Sequence, residues 1–279
     1  MPGYITSQWS CFVISLILPY LLLINEAGGA FEERLLSARA SALGGSYSAL
    51  PSDQLALFGN VANLTKQSQL NFSVIYSHPF GLKELSQSGL AMAIPSRFGA
   101  FGLSASRFGF SLYRENLLSV GYAKNPFKNI SIGISLNLME VRIKGYGVGR
   151  SMSMNSGILA ELKDNLILGL TIRNLNSPTV SAGEESLPPS MRLGLLYLPA
   201  SNFKVITEYQ KERGFSDILR VGAEIELFPS QFLRLGVSNN PSIISMGFGL
   251  TSKGITIDYS AVTHQFLGTT QNISFGFTF

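Results

Sequence analysis

Apolar and polar residues alternate along most of the chain from Gln69 to its end, with almost no helical periodicity. Such alternation places successive side chains on opposite faces of a β-strand. In the last nine residues one phase is small and polar, and the other is apolar: Ile273, Phe275, Phe277 and Phe279. The pattern predicts fourteen strands, at residues 69–77, 87–94, 99–107, 116–124, 129–141, 151–162, 166–174, 190–198, 202–210, 217–227, 231–238, 242–250, 254–262 and 271–279.

The predicted connections fall into two classes when they are taken alternately. The even-numbered ones are three or four residues long, at 95–98, 125–128, 163–165, 199–201, 228–230 and 251–253. The odd-numbered ones are longer, except 239–241, and the longest is 175–189. Tight turns on one rim, longer loops on the other and an even strand number are typical of outer-membrane barrels. Residues 68–279 are therefore predicted to form an all-β, fourteen-stranded antiparallel transmembrane β-barrel.

The two faces of the predicted strands differ in charge. One face is apolar, and the phase assigned to the lumen carries eight charged side chains: Arg192, Lys204, Glu208, Arg220, Glu224, Glu226, Arg234 and Asp258. Alternation alone also fits a soluble barrel or sandwich whose charged face meets water. Inside a membrane barrel, the charges form either a structural ladder that satisfies buried groups or a polar pathway that contacts a ligand.

The first 30 residues have a different composition. An apolar run of 14 residues, 11–24, is shorter than a membrane-spanning helix and leads into the small residues 27–30. We predict that residues 1–30 are a secretory signal peptide, the alternative being a single membrane anchor. The only cysteine, Cys11, would leave with the signal, so no disulfide is expected. Charged residues make up just 14% of the chain and glycines number 28, which suits a barrel with a lipid belt.

Residues 31–67 combine short helical stretches with many small residues. An Ala-Arg pair, a Gly-rich stretch, an acidic turn and an Asn-X-Ala-X-Leu sequence follow one another, and their principal residues are Arg39, Gly44, Gly45, Asp53, Asn60 and Ala62. This order resembles the N-terminal signature of the outer-membrane barrel superfamily of the FadL long-chain fatty-acid transporters and the PorV and PorQ barrels of type IX secretion. Val61 and Asn63 replace the proline and the glycine of that signature. The resemblance implies a short plug inside the barrel; the alternative is a periplasmic leader helix.

The final strand resembles the C-terminal signal that the barrel-assembly machinery reads in bacterial outer-membrane proteins. Its aromatic residues Phe275, Phe277 and Phe279 share one face, which would meet outer-membrane lipid. The resemblance implies localisation in the bacterial outer membrane, with the assembly machinery and lipid as partners. We expect the barrel to be a monomer.

Several kinds of chemistry lack support in the sequence. The two histidines, His78 and His264, have no clustered ligands nearby, so we expect no metal site and no cofactor. No serine occupies a nucleophile-elbow frame, so we expect no enzymatic activity. The net charge of +4 is spread without a basic run, which argues against a nucleic-acid partner.

Two functions remain, and the fold does not separate them. The resemblance to FadL implies passive transport of a hydrophobic or amphipathic ligand through an apolar pocket near the outer rim and a kinked wall strand. The resemblance to PorV and PorQ implies a role in protein secretion, with a secreted protein as partner. Glycines at 99 and 102 would permit the kink. Aromatic residues predicted around one outer loop form either the ligand entrance or a lipid-interface girdle: Phe98, Phe101, Phe108, Phe110 and Tyr113.

One strand departs from regular alternation. Residues 130–138 keep their apolar side chains in one phase, and Met139 and Val141 continue in the other. We predict either a β-bulge near Met139 and Glu140 or an exit of the strand from the lipid belt at that point.

Overall fold

A closed antiparallel β-barrel makes up most of the molecule. The structure, a computed structural model, describes residue 31 and residues 37–51, 55–180 and 186–279. The predicted signal peptide at 1–30 lies outside the described residues. The strands are β1 (Asn71–His78), β2 (Gln87–Ser96), β3 (Gly99–Gly109), β4 (Tyr113–Phe127), β5 (Ile130–Ile143), β6 (Gly147–Lys163), β7 (Leu166–Arg173), β8 (Ser190–Ala200), β9 (Phe203–Glu212), β10 (Ile218–Phe228), β11 (Gln231–Ser238), β12 (Ile243–Ser252), β13 (Ile255–His264) and β14 (Gly268–Thr278).

Each strand pairs with its neighbours in the sequence, and β1 pairs with β14 to close the barrel. In the closing pair Ile75 lies opposite Ser274, and Val74 lies opposite Phe275. Closure leaves no strand edge with unpaired backbone groups, which is the condition for a sheet to cross lipid. The predicted fourteen-stranded antiparallel barrel is confirmed.

The two rims differ as the loop lengths predict. The short-turn rim has six two-residue turns, at 97–98, 128–129, 164–165, 201–202, 229–230 and 253–254. In one of them, Lys253 and Gly254 both have positive φ, 48° and 80°, as the right-handed strand twist favours in a two-residue hairpin. The long-loop rim carries all the longer connections, including two single-turn 3₁₀ helices, Pro79–Gly81 and Lys83–Leu85, between β1 and β2.

The bulge predicted near Met139 and Glu140 is wrong. Pairing is regular there on both sides of β5, since Met139 lies opposite Leu117 and Ser151, and Glu140 lies opposite Asn116 and Arg150. The register shifts that do occur lie next to turns of the short-turn rim. Instead, Met139 and Val141 point into the lumen and are 5% and 8% exposed. The pattern changes phase because the lumen wall becomes apolar at this height.

The outward face of the barrel is apolar and open to the surroundings. On β4, Leu118 and Val120 are 51% and 52% exposed, whereas Ser119 between them is 1% exposed. The same arrangement recurs around the barrel, which inverts the usual placement of apolar residues and forms a lipid-facing belt. Among the described residues, no helix has the length and apolar character needed to cross a membrane.

Replacing Leu235 by arginine tests whether this belt faces lipid. Leu235 lies midway along β11 and is 62% exposed. A lipid-facing arginine near the midplane is expected to destabilise the inserted barrel by roughly 2–4 kcal/mol. The measurement is the urea concentration at which half of the vesicle-inserted protein unfolds, with the folded fraction read from heat-modifiable migration on gels. Leu235→Ala is the control. An arginine variant as stable in vesicles as the alanine variant would contradict a lipid-facing belt.

Candidate functional site

The segment before β1 lies inside the barrel. We call residues 37–51 and 55–67 the plug; it contains helix α1 (Ala38–Ala42) and the 3₁₀ helices Ala56–Phe58 and Val61–Lys66. The Ser37 hydroxyl caps α1 by accepting a hydrogen bond from the Ala40 N–H at 3.0 Å. Helix α1 packs against β11, β12 and β13, and the 3₁₀ helix Val61–Lys66 packs against the opposite wall, β3 to β6. The plug therefore crosses the lumen from one wall to the other.

Glycines on the barrel wall make room for the plug. They form a glycine belt of lumen-facing positions: Gly102, Gly121, Gly133, Gly157, Gly169, Gly194, Gly222, Gly236 and Gly247. Eight of them stand directly opposite one another in pairs: Gly102 with Gly121, Gly133 with Gly157, Gly169 with Gly194, and Gly222 with Gly236.

The plug backbone approaches the belt too closely for any larger side chain. A Cβ atom on Gly169 would overlap the Ser48 carbonyl oxygen, and one on Gly236 would overlap the Gly44 amide nitrogen. On the opposite wall, a Cβ on Gly102 would lie 2.8 Å from Leu57 Cδ1. Glycine is used here for close approach and not for its backbone freedom, because these positions have ordinary strand conformation.

A buried carboxylate on β9 fixes the middle of the plug. One Glu208 oxygen accepts hydrogen bonds from the backbone N–H groups of Tyr47 and Ser48, at 3.0 and 2.7 Å. The other accepts one from Arg192 at 2.7 Å, and Arg192 also donates to the Gly45 carbonyl at 3.0 Å. The Arg192 guanidinium lies 4.5 Å from the centre of the Tyr47 ring. Glu208 is 1% exposed, so these partners replace its hydration.

A second carboxylate binds the helix of the plug to the wall. Glu224 on β10 accepts two hydrogen bonds from Arg39, at 2.8 and 2.9 Å, in a bidentate pair. It also accepts one from Lys204 at 2.8 Å and one from Arg234 at 2.7 Å. Arg234 in turn donates to Asp258 at 2.6 Å. Three cations and two carboxylates thus form a charge ladder across β9, β10, β11 and β13.

The asparagines of the plug satisfy buried carbonyl groups. The Asn60 amide donates to the Ser48 carbonyl at 2.6 Å and to the Ile158 carbonyl of β6 at 3.0 Å. Its side-chain oxygen accepts a hydrogen bond from the Ala62 N–H at 3.0 Å, which caps the 3₁₀ helix. Asn63 donates to the Leu50 carbonyl at 2.8 Å. Asn60 therefore joins both halves of the plug to the barrel wall.

The structure places the other predicted residues as follows. Arg39, Asn60 and Ala62 make the plug contacts described above, and Gly44 and Gly45 turn the chain after α1 with φ of 73° and 82°. Asp53 lies outside the described residues. Six of the eight charged lumen residues belong to the two carboxylate clusters. Arg220 is buried on the lumen side, and Glu226 accepts a hydrogen bond from the Ser230 N–H at 2.7 Å at the short-turn rim.

The aromatic residues predicted around one outer loop do not lie together. Phe98 occupies a turn of the short-turn rim, and Phe101 packs near that rim against Tyr122, with ring centres 5.0 Å apart. Phe108 and Tyr113, 6.3 Å apart, lie at the long-loop rim. The grouping is wrong because strand β3 separates the two sets. Pairing of β3 is regular through Gly99 and Gly102, and Gly102 accommodates the plug.

A chamber lies between the plug and the long-loop rim; one side of it is apolar and the other is polar, and we call it the apolar chamber after the first of these sides. Buried Met139, Val141, Val180 and Leu187 pack together, with Leu117 and Tyr113 against them. A cavity of about 70 Å³ continues from this cluster to the plug residues Leu57 and Phe58. Its polar wall includes Glu115, Asn137, Ser153 and Arg173. The resemblance to FadL implies an apolar pocket near the outer rim, but sequence reasoning did not assign residues to it; the phase change at Met139 was the signal for them.

Within the described part of the chain, no group of three or more His, Cys, Asp or Glu side chains is arranged to hold a metal ion.

The site is a closed transmembrane β-barrel whose lumen is filled by a plug and has an apolar chamber on one side of it. This combination defines the class of plugged transmembrane barrels.

Several solved structures are similar to the chain. The TodX monoaromatic hydrocarbon channel, as a deltaS2 mutant, has a TM-score of 0.70 and 13% identity over 90% of this chain and 100% of its own. The CymD monoaromatic hydrocarbon channel has a TM-score of 0.67 and 13% identity over 87% and 97%. A Pseudomonas aeruginosa FadL homologue has a TM-score of 0.61 and 12% identity over 87% and 98%. No protein-family model and no curated protein matches the sequence.

These comparisons confirm the fold implied by the resemblance to FadL. The PorV and PorQ part of that resemblance stays a prediction.

Replacing Gly169 by valine tests the close contact between plug and wall. Valine suits a strand, so the barrel should still form, but its side chain would collide with the Ser48 carbonyl and displace the plug. We expect faster proteolysis of residues 37–67 and a higher ion conductance in planar bilayers. The control is Leu168→Val, an outward-facing change on the same strand. Conductance and proteolysis unchanged from the wild type would show that the plug does not depend on the glycine belt.

Replacing Glu208 by alanine tests the buried carboxylate. Loss of this group removes the carboxylate that accepts from Arg192 and from two backbone N–H groups, which should destabilise the folded protein by about 3–5 kcal/mol. The control is Glu161→Ala, which breaks a pair with Lys66 whose carboxylate side chain is 39% exposed and should cost about 0–1 kcal/mol. The loss of stability in each variant is obtained from its urea midpoint, with the folded fraction read from heat-modifiable migration on gels. Equal losses in the two variants would contradict a fixing role for Glu208.

Proposed function

We propose that this protein is a non-enzymatic, monomeric channel of the bacterial outer membrane that carries small hydrophobic molecules inward by passive diffusion. The observation that carries this proposal is the apolar chamber. A lumen that conducts polar solutes is lined by polar side chains, whereas one side of this chamber is apolar, where Met139 and Leu117 of the wall meet Leu57 and Phe58 of the plug. Such a wall gives a hydrophobic solute a favourable place to leave water.

The plug supports the same conclusion. It fills the middle of the lumen and is fixed by two buried carboxylates, so the described barrel is not an open water-filled pore. A solute must be held in the chamber before it passes the plug. The solved structures most relevant to this proposal are named as monoaromatic hydrocarbon channels, which agrees with a small apolar solute.

No feature of the described residues favours the second predicted function, a partner of a secreted protein, over transport. The connections at the long-loop rim are short apart from residues 174–189, and residues 181–185 of that loop are outside the described residues. Mass spectrometry of the protein purified in mild detergent separates the two functions. A stoichiometric secreted protein in the preparation would favour the secretion role.

The chamber is tested by uptake of an apolar probe. The protein is expressed in a Gram-negative host, found in the outer-membrane fraction, and supplied with N-phenyl-1-naphthylamine, which fluoresces once it reaches the inner leaflet. Met139→Gln should lower the protein-dependent uptake rate by roughly fivefold or more, because it replaces apolar surface that a hydrophobic solute would contact, and burial of a methionine side chain is worth about 1.5–3 kcal/mol. Met191→Gln, an outward-facing change at the same rim, should leave the rate unchanged.

Two results would contradict the proposal. One is a host that takes up the probe equally fast with and without the wild-type protein in its outer membrane. The other is equal uptake by the Met139→Gln variant and the wild type.

A further inference from the structure

The outward face of the barrel carries a cationic cluster at the long-loop rim. We define it as four arginines with the two polar residues between them: Arg107, Arg114, Arg142 and Arg150, with Asn116 and Glu140. Four of these residues lie side by side on neighbouring strands and therefore share one face of the sheet. The pairs are Arg107 with Asn116, Asn116 with Glu140, and Glu140 with Arg150. That face is the outward one, because Leu118 and Leu138, two residues nearer the barrel middle, are 51% and 55% exposed.

The cluster has an excess of positive charge. Four guanidinium groups accompany one carboxylate, which leaves three positive charges. Glu140 accepts hydrogen bonds from Arg150 at 3.0 Å, Arg142 at 3.5 Å and Asn116 at 3.4 Å. The side chains of Arg142 and Arg150 are still 56% and 75% exposed. A guanidinium has five N–H donors, so most donors of the cluster point to the surroundings.

A groove in the lipid-facing surface begins at this cluster. Its volume is about 690 Å³, and its walls are the apolar side chains of Val74, Leu90, Leu118 and Leu138. The small outward residues Ser88 and Ala105 lie between them and deepen the groove. Arg107, Asn116, Glu140 and Arg150 line its other end. One concavity therefore has an apolar part toward the membrane interior and a cationic part at the membrane surface.

The geometry points to a binding site for a phosphorylated, acylated lipid of the outer leaflet, with its phosphate on the cationic cluster and an acyl chain in the groove. Arginine binds phosphate in a bidentate manner and is weakly hydrated, so it suits this interface. Arginine on a lipid-facing strand is unfavourable unless it lies at the headgroup level, which is where the long-loop rim places the cluster. The excess charge selects an anionic occupant, and the apolar walls select an acyl chain over a free ion.

This inference uses the membrane placement in the proposed function but not the transport activity. The groove opens on the outside of β1 to β6, whereas the chamber opens on the inside. Ala105→Phe and Arg150→Gln change residues that line the groove and not the chamber, so they should leave uptake of the naphthylamine probe unchanged. Failure of the lipid site therefore does not decide the transport function, and failure of transport does not decide the lipid site.

Lipid binding to the full chain tests the site. The delipidated protein in a zwitterionic detergent is titrated with a bisphosphorylated, acylated glucosamine disaccharide, and bound lipid is counted by native mass spectrometry. The variant Arg107→Gln/Arg150→Gln should weaken binding by about tenfold or more, as the loss of charge-assisted hydrogen bonds predicts. The control Lys211→Gln/Lys253→Gln removes the same charge elsewhere and should bind as the wild type does.

Two further arms identify what is recognised. The dephosphorylated form of the same lipid should bind the wild type as weakly as the phosphorylated lipid binds the double arginine variant. Ala105→Phe fills the groove without changing charge and should also weaken binding. Equal binding of the phosphorylated lipid by the wild type and the double arginine variant would overturn the proposal. Competition by inorganic phosphate at the lipid concentration, with no effect of Ala105→Phe, would overturn it too, because the site would then hold a free ion.

Discussion

The structure depends on close contact between the plug backbone and the barrel wall. Between its short helices the plug has buried peptide groups with no partner from regular secondary structure, and each must find one within the lumen. The glycine belt brings the wall close enough for wall groups to serve, as where Gly169 meets Ser48. Glu208 accepts the N–H groups of Tyr47 and Ser48, and Asn60 donates to the Ser48 carbonyl. With a larger residue at these positions, the plug would lie too far from the wall groups that form hydrogen bonds with its peptide groups.

The two walls hold the plug by different forces. On β8 to β13 the contacts include an ion pair between Arg39 and Glu224 and two hydrogen bonds from plug N–H groups to Glu208, beside apolar packing on Leu196 and Ile206. On β2 to β4 they are apolar, between Leu57, Val61 and Leu64 of the plug and alanines of the wall. Buried ion pairs resist separation because each partner would be left as an unpaired charge, whereas apolar contacts are non-directional and tolerate small displacements. The contacts on β2 to β4 therefore fix the position of the plug less strictly than the ion pair and hydrogen bonds on β8 to β13 do.

Much of the barrel could be predicted from the sequence, because a strand with one face in lipid and one in a polar lumen alternates regularly along its whole length. The strands, their order and the sorting of turns follow from that alternation. The same rule predicts that charges such as Arg192 and Glu224 lie in the lumen, but it does not predict their partners in the plug, since Arg39 lies 185 residues from Glu224. The glycine belt was visible as glycine in the lumen phase of nine strands, yet its meaning required knowing what it faces.

The phase change on β5 shows why alternation fails at one rim. In the middle of the barrel an apolar residue faces lipid and a polar one faces the lumen, so an apolar residue in the other phase suggests a bulge. Near the long-loop rim both environments are reversed: Met139 lines the apolar chamber, and its neighbour Glu140 faces the membrane surface among arginines. The strand pairing is continuous, and only the surroundings change. A regular strand whose apolar phase switches near a rim thus indicates that the surroundings change on both sides of the wall, without a bulge.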